Sequence, residues 1–144
     1  MKVQQIIGEK GREVATIRSE SSIATAAGLL KLRGIGALVV SEDGSQVVGI
    51  LSERDIVRGL VEHGNDLLEM RVSDLMTRNV KTCRLDSDLN SVMGEMTRSR
   101  IRHLPVVEDN SLIGIISIGD VVKMRLGELE TETSVLRDFI VGRS

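Results

Sequence analysis

The chain of 144 residues has one phenylalanine, Phe139, and neither tryptophan nor tyrosine. Without aromatic faces it lacks the stacking platform that single-strand nucleic-acid binders use. With a net charge of −2, nothing electrostatic points to nucleic acid. The lone Cys83 cannot close an intramolecular disulfide, which fits a reducing compartment. No run approaches the roughly 20 apolar residues of a membrane span. The opening "MKVQQIIGEKG" lacks the apolar stretch of a secretory leader. These absences predict a cytoplasmic protein that engages neither nucleic acid nor membrane. Proline is also scarce: Pro105 stands alone, inside an apolar run. Proline cannot donate to a ladder, so that strand is an edge or carries a gap where an unpaired backbone can meet a purine base.

What remains is aliphatic. Hydrophobic residues make up 41% of the chain, enough for one compact unit or two small halves sharing a core. That core must be built from Val, Ile, Leu, Ala and Met. Met70, Met76, Met93, Met96 and Met124 take the gaps that aromatic rings would otherwise fill.

The chain repeats itself, and repeats decide architecture. "GIGALVVSEDGS" (34–45) aligns with "RIRHLPVVEDNS" (100–111), and "VVGILSERDIV" (47–57) with "LIGIISIGDVV" (112–122). Upstream, Val14 and Thr16 match Val80 and Thr82, and Gly28 matches Gly94. Each copy opens with an extended piece, "EVATI" (13–17) or "NVKTC" (79–83). A helix follows, opening near Ser21 or Ser87, which suit an N-cap. Its predicted buried face is Ile23, Ala27 and Leu30 in copy one, and Leu89, Met93 and Met96 in copy two. Two apolar runs around "EDGS" or "EDNS" then read as a strand pair, and a second helix starts after Ser52 or Ser117. The fold class is therefore α+β: two β-α-β-β-α repeats, packed through their sheets with pseudo-two-fold symmetry. "VQQII" (3–7) and "VSDLM" (72–76) read as matching lead-in helices, with "HGNDLLEM" (63–70) as the linker. The division along the chain is 1–66, 67–126 and an amphipathic tail, 127–144.

The repeated corner carries the chemistry. "SERD" and "SIGD" place Ser52 with Asp55 and Ser117 with Asp120 at helix starts. Read plainly, each is a capping box. The same geometry offers free amides and a positive dipole end to a phosphate, with a carboxylate for two ribose hydroxyls. Spacing alone leaves both readings open. "RSRIRH" adds Arg98, Arg100, Arg102 and His103 ahead of the second copy's strand. They are phosphate partners or a solvated helix end. Arg54 is a further phosphate candidate or an exposed helical arginine.

These paired units, each with an apolar strand, a turn and "G-h-h-S/T-x-x-D" (h apolar), resemble a tandem CBS-domain pair of the stand-alone bacterial kind. The resemblance covers roughly residues 1–126 and implies an adenosine-containing ligand (AMP, ADP, ATP, NAD(H) or S-adenosylmethionine) in a cleft between the repeats. It implies that Ser52, Asp55, Ser117 and Asp120 hold phosphate and ribose. It implies that Thr16, Ile17, Gly36, Ala37 and Leu38 frame one base, and Thr82, Cys83, His103, Leu104 and Pro105 the other. Copy one departs from the pattern, with Ala37 and Val39 where copy two has His103 and Pro105. In copy two, Gly119 replaces a bulkier residue and opens room for a phosphate. The resemblance also implies a disc-like homodimer of two such pairs.

Nothing points to catalysis. Cys83 sits at an apolar strand position with no neighbour to activate it, so it reads as a buried thiol. His63 and His103 have no partner at metal-ligand spacing. No nucleotide-binding glycine loop occurs. An enzyme barrel carrying such a pair as an insert would require about 250 residues. The expectation is a non-catalytic sensor of adenine nucleotides (AMP, ATP or NAD(H)), with no catalytic cofactor, that signals to an effector protein. The alternative is a ligand-free dimerisation module. In the tail, Val135, Leu136, Phe139 and Ile140 share a helix face that suits a dimer contact.

Overall fold

The computed structural model describes residues 1–141. In chain order it contains α1 (Val3–Lys10), β1 (Thr16–Ile17), α2 (Ile23–Arg33), β2 (Ala37–Val40), β3 (Gly49–Ser52) and α3 (Glu53–His63). A 3-10 stretch over Gly64–Glu69 leads to α4 (Val72–Leu75), α5 (Leu89–Ser99), β4 (His103–Glu108), β5 (Ser111–Ser117) and α6 (Ile118–Ile140). The repeat anticipated from the sequence is thus present twice. The tail is not a separate helix: α6 runs unbroken from the corner serine to Ile140. The last residues of the expected tail, 142–144, lie outside the described residues.

Within each repeat the sheet sets the corner. β2 pairs antiparallel with β3, and Ala37 faces Ser52. β4 pairs with β5 in the same way, and His103 faces Ser117. Each capping serine therefore lies across from the residue that opens the central strand. β1 runs parallel to β2, with Thr16 beside Val39. Its counterpart in the second repeat shrinks to a single bridge, Cys83 to Val106. The reason is Pro105. In the first repeat the Val39 amide donates to the Ala15 carbonyl at 3.2 Å, and proline has no such donor.

Capping shifts the expected helix starts by one residue. Ser22 caps α2 by accepting from the Thr25 amide, and Asp88 caps α5 by accepting from the Asn90 and Ser91 amides. The neighbours Ser21 and Ser87 do something else. The Ser21 carbonyl accepts from the Val72 amide at 2.8 Å, and the Ser87 carbonyl from the Val3 amide at 3.0 Å. The buried faces also turn slightly: Ile23, Ala26 and Leu30 on α2, and Leu89, Val92 and Met96 on α5. Ala27 and Met93 are only partly buried.

Those two carbonyls show how the repeats are tied together. The first-repeat core joins Ile23, Ala26, Leu30, Leu38, Val40 and Leu51 to Val72 and Met76, from α4 and the residue after it. The second-repeat core joins Leu89, Val92, Met96, Leu104, Val106 and Ile116 to Val3, Ile6 and Ile7 of α1. Each lead-in helix completes the core of the other repeat in chain order. Burying side chains of this size contributes about 1.5–3 kcal/mol apiece. The segment read as a linker also joins in, since Leu67 of the 3-10 stretch is buried in the first core. Ala37, Val39 and Pro105 belong to neither core cluster, yet all three are buried. They lie on the second faces of the two sheets, and a strand covered on both faces reads as a continuous apolar run. A β-carbon on Gly36 would come within 3.1 Å of the His103 ring, which places the two repeats face to face there.

Candidate functional site

Both corners are real capping boxes. In the first, the Asp55 amide donates to Ser52 Oγ at 3.3 Å, and the Ser52 amide donates to Asp55 Oδ2 at 2.9 Å. Ser52 Oγ–H also donates to Asp55 Oδ2, at 3.1 Å. In the second, the Asp120 amide donates to Ser117 Oγ at 3.1 Å, and the Ser117 amide donates to Asp120 Oδ2 at 2.8 Å. Capping therefore occupies one carboxylate oxygen in each case. Among the described residues no protein group donates to Oδ1 of either aspartate. The cap and a ligand contact are not exclusive: one oxygen of each partly exposed residue fixes the helix start, and the other is left to accept from a guest.

The two corners differ in their cations. Lys10, at the end of α1, reaches the second corner. Its ammonium donates to Asp120 Oδ2 at 2.6 Å and to the Ile115 carbonyl at 2.9 Å. Burial pushes the Asp120 carboxyl up. The Lys10 ammonium, the Ser117 amide and the lysine charge outweigh it and hold the group below the usual aspartate range. The sequence reading did not single out Lys10. Its spacing from Ile6 and Ile7 marks the buried side of α1, but nothing in the order of residues says that α1 docks on the second repeat. Asp55 has no such partner among the salt bridges of the described residues.

The arginines divide. Arg54 Nη1 donates to the Arg100 carbonyl at 2.9 Å, so it ties the first corner to the second repeat. Gly119 occupies the equivalent place and is exposed, and among the described residues only Ser117 Oγ comes near its missing β-carbon, at 3.6 Å. Arg100 caps α5 in the left-handed region with φ of 53°, where the first repeat uses Gly34 at 62°. Arg102 is exposed, and its carbonyl accepts from the Ile118 amide at 2.8 Å.

His103 is the polar centre between the repeats. It is half-buried, and burial lowers its pKa. Lys10 and Arg102 push the same way, while Glu53 and Asp120 oppose. This favours the neutral imidazole, which donates from one nitrogen and accepts at the other. Glu53, which the sequence reading also passed over, lies beside Gly36 and donates its amide to the Gly36 carbonyl at 2.9 Å.

Of the residues expected to frame the bases, Ile17, Leu38 and Leu104 have their side chains in the cores. Cys83 is also a core residue. Burial pushes its thiol up to about 12, which makes it inert near neutrality. Its amide donates to the Pro105 carbonyl at 3.0 Å. Thr82 is exposed, Thr16 and Gly36 are partly buried, and Ala37 is buried. His103, Gly36, Glu53, Asp120 and Lys10 are the polar group that the folding assembles from both repeats.

Comparison with known proteins fits this geometry. The pattern of the CBS domain matches residues 7–62 and again 72–127. The chain belongs to the CBS-domain family. Its two matched segments form a tandem CBS pair. A CBS-domain protein of Agrobacterium tumefaciens, ATU1752, superposes with a TM-score of 0.84 at 45% identity, over 87% of this chain and 99% of that one. The CBS pair of protein MJ0100, in complex with 5′-methylthioadenosine and S-adenosyl-L-methionine, superposes with a TM-score of 0.78 at 28% identity, over 89% and 98% of the two chains. The mitochondrial CBS-domain protein CBSX3 of Arabidopsis thaliana is 38% identical over 112 residues, which cover 75% of this chain. The match spans about half of that relative, 54% of its length. In this CBS pair, no helix of the described residues is long and apolar enough to cross a membrane.

Proposed function

We propose that this CBS pair is a non-catalytic regulatory module that binds an adenine nucleotide of the AMP, ATP or NAD(H) class between its repeats. It then acts as an energy or redox sensor. The observation that carries the reading is the spare Oδ1 of Asp120, set beside a capped helix start and an exposed Gly119. That oxygen suits two adjacent ribose hydroxyls, and the helix amides suit a phosphate. His103, neutral and flanking the cleft, can bond a purine edge. Protein MJ0100, a relative of the same fold, is described in complex with two adenosine-containing molecules, which supports the ligand class.

The partner reading rests on the helix surfaces. Val122, Leu126, Leu129, Leu136 and Ile140 are exposed along α6 at intervals of one helix face, and Phe139 lies next to them. Val57, Leu60 and Val61 are exposed on α3. Apolar exposure on this scale marks an association surface, and a second copy of the chain, forming a homodimer, is the occupant proposed here. The signal then passes through that dimer to an effector protein.

A thermal-shift panel of AMP, ATP, NAD+, NADH, S-adenosylmethionine and adenosine tests the ligand. At a ligand concentration 100-fold above Kd the folded state gains about 2.7 kcal/mol, or a rise of roughly 5–10 °C for a chain of this size. If no compound moves the midpoint, the ligand-free dimerisation module replaces this reading.

A further inference from the structure

The lead-in helices are equivalent, but they end differently. The helix α4 stops at Leu75, and Thr77 pairs by backbone with Ile50, at 2.9 and 3.0 Å. Ile50 is the first-repeat counterpart of Ile115. In the second repeat α1 continues to Lys10, and the Ile115 carbonyl is satisfied by the lysine ammonium instead. A backbone group that the first repeat closes with backbone is closed in the second by a movable cation. That cation also rests on the carboxylate assigned to the ligand.

We propose that Lys10 is a specificity-determining residue: it makes the second corner select adenosine ligands carrying a 5′-phosphate over uncharged or cationic ones. The proposal rests on the adenine-nucleotide reading above. The pair is reachable, because Lys10 and Asp120 line an open groove with Ile6, Glu9, Lys123 and Met124, and their side chains are 34% and 26% exposed. A ribose on Oδ1 of Asp120 leaves Lys10 on Oδ2, with the Ile115 carbonyl as its second partner. A ligand without charge adds no partner for the ammonium. A phosphate gives it a new charge-assisted partner, while the carbonyl keeps it tethered within reach. A ligand with a positive centre adds repulsion. The carboxylate of Glu9 in the same groove opposes phosphate, and Lys123 favours it. Among the described residues Asp55 has no ion pair, so the first corner lacks this selection.

The test is isothermal titration of AMP, adenosine and S-adenosylmethionine against the wild type, Lys10→Met and Lys10→Gln, beside urea midpoints. The wild type should prefer AMP. In both variants that preference should fall at least about tenfold, because AMP weakens while adenosine holds, and Lys10→Arg should restore it. An equal loss of AMP and adenosine would show that Lys10 only positions Asp120, and an unchanged preference would show that it plays no part; either overturns the proposal while leaving the nucleotide reading intact. A wild type that binds none of the three overturns both. Two substitutions of different polarity keep the result readable if one lowers the midpoint.

Discussion

Replacing Ile6 with alanine probes the exchange of lead-in helices. Ile6 is 3% exposed and packs in the second-repeat core, although the members from Cys83 to Val121 lie 77 to 115 residues further along the chain. Truncating a buried isoleucine to alanine costs about 2–5 kcal/mol, from lost transfer energy and the cavity left behind. With a urea slope of about 2 kcal/mol per molar, the midpoint should fall by roughly 1–2.5 M. Gln4→Ala, on the exposed side of the same helix, should stay within about 0.5 kcal/mol of the wild type. Hydrogen exchange locates the damage. Amides of Val92, Leu104 and Ile116 should lose protection first, while those of Ala26, Leu38 and Leu51 lag. If the Ile6 variant matches the Gln4 control, or if the first-repeat amides open first, then α1 does not complete the second repeat and the exchange is wrong.

Three further outcomes follow from particular contacts. Gly59→Ala should lower the urea midpoint, although alanine normally favours a helix interior by about 1 kcal/mol, because a β-carbon there meets the tips of Leu75 and Leu67; a raised midpoint would show that α4 does not press on α3. Stability should fall as pH drops below about 6.5, since the folded state lowers the His103 pKa and the unfolded chain then binds the extra proton. His103→Gln should flatten that slope in urea titrations from pH 5 to 8, and an unchanged slope would remove His103 from the account. Deleting residues 130–144 should weaken the dimer, read by light scattering, more than it weakens nucleotide binding; equal loss of both would count against the outer half of α6 as the association surface.

The repeat, the strand pairs and both corners were legible because their signals are local. Ser52 and Asp55, like Ser117 and Asp120, lie within one helical turn, and a capping box needs nothing more. The gap at Pro105 was legible for the same reason, since a missing donor belongs to the residue itself. What escaped depends on contacts between distant segments. Lys10 reaches Asp120 only because α1 crosses to the second repeat, and Leu67 is buried only because the 3-10 stretch folds back on the first. The helix starts were misjudged by one residue because Ser21 and Ser87 give their carbonyls to the exchanged helices, a demand invisible in a cap pattern. Arg54 reads from sequence as a phosphate candidate or an exposed helical arginine, and its bond to the Arg100 carbonyl is again a contact between distant segments.

The central claim is that Asp120 serves a ligand with one oxygen while it caps α6 with the other. Isothermal titration of AMP and NAD+ against Asp120→Ala, with urea midpoints taken on the same samples, tests it most directly. Charge-assisted bonds to the ribose hydroxyls contribute about 1.5–3 kcal/mol each, so affinity should fall at least about tenfold. Loss of the cap lowers stability by roughly 0.5–2 kcal/mol at the same time. Asp120→Asn, which keeps an acceptor for the cap but loses the charge, should harm binding more than stability. A lowered midpoint with unchanged affinity would contradict the claim and leave Asp120 as a helix cap alone.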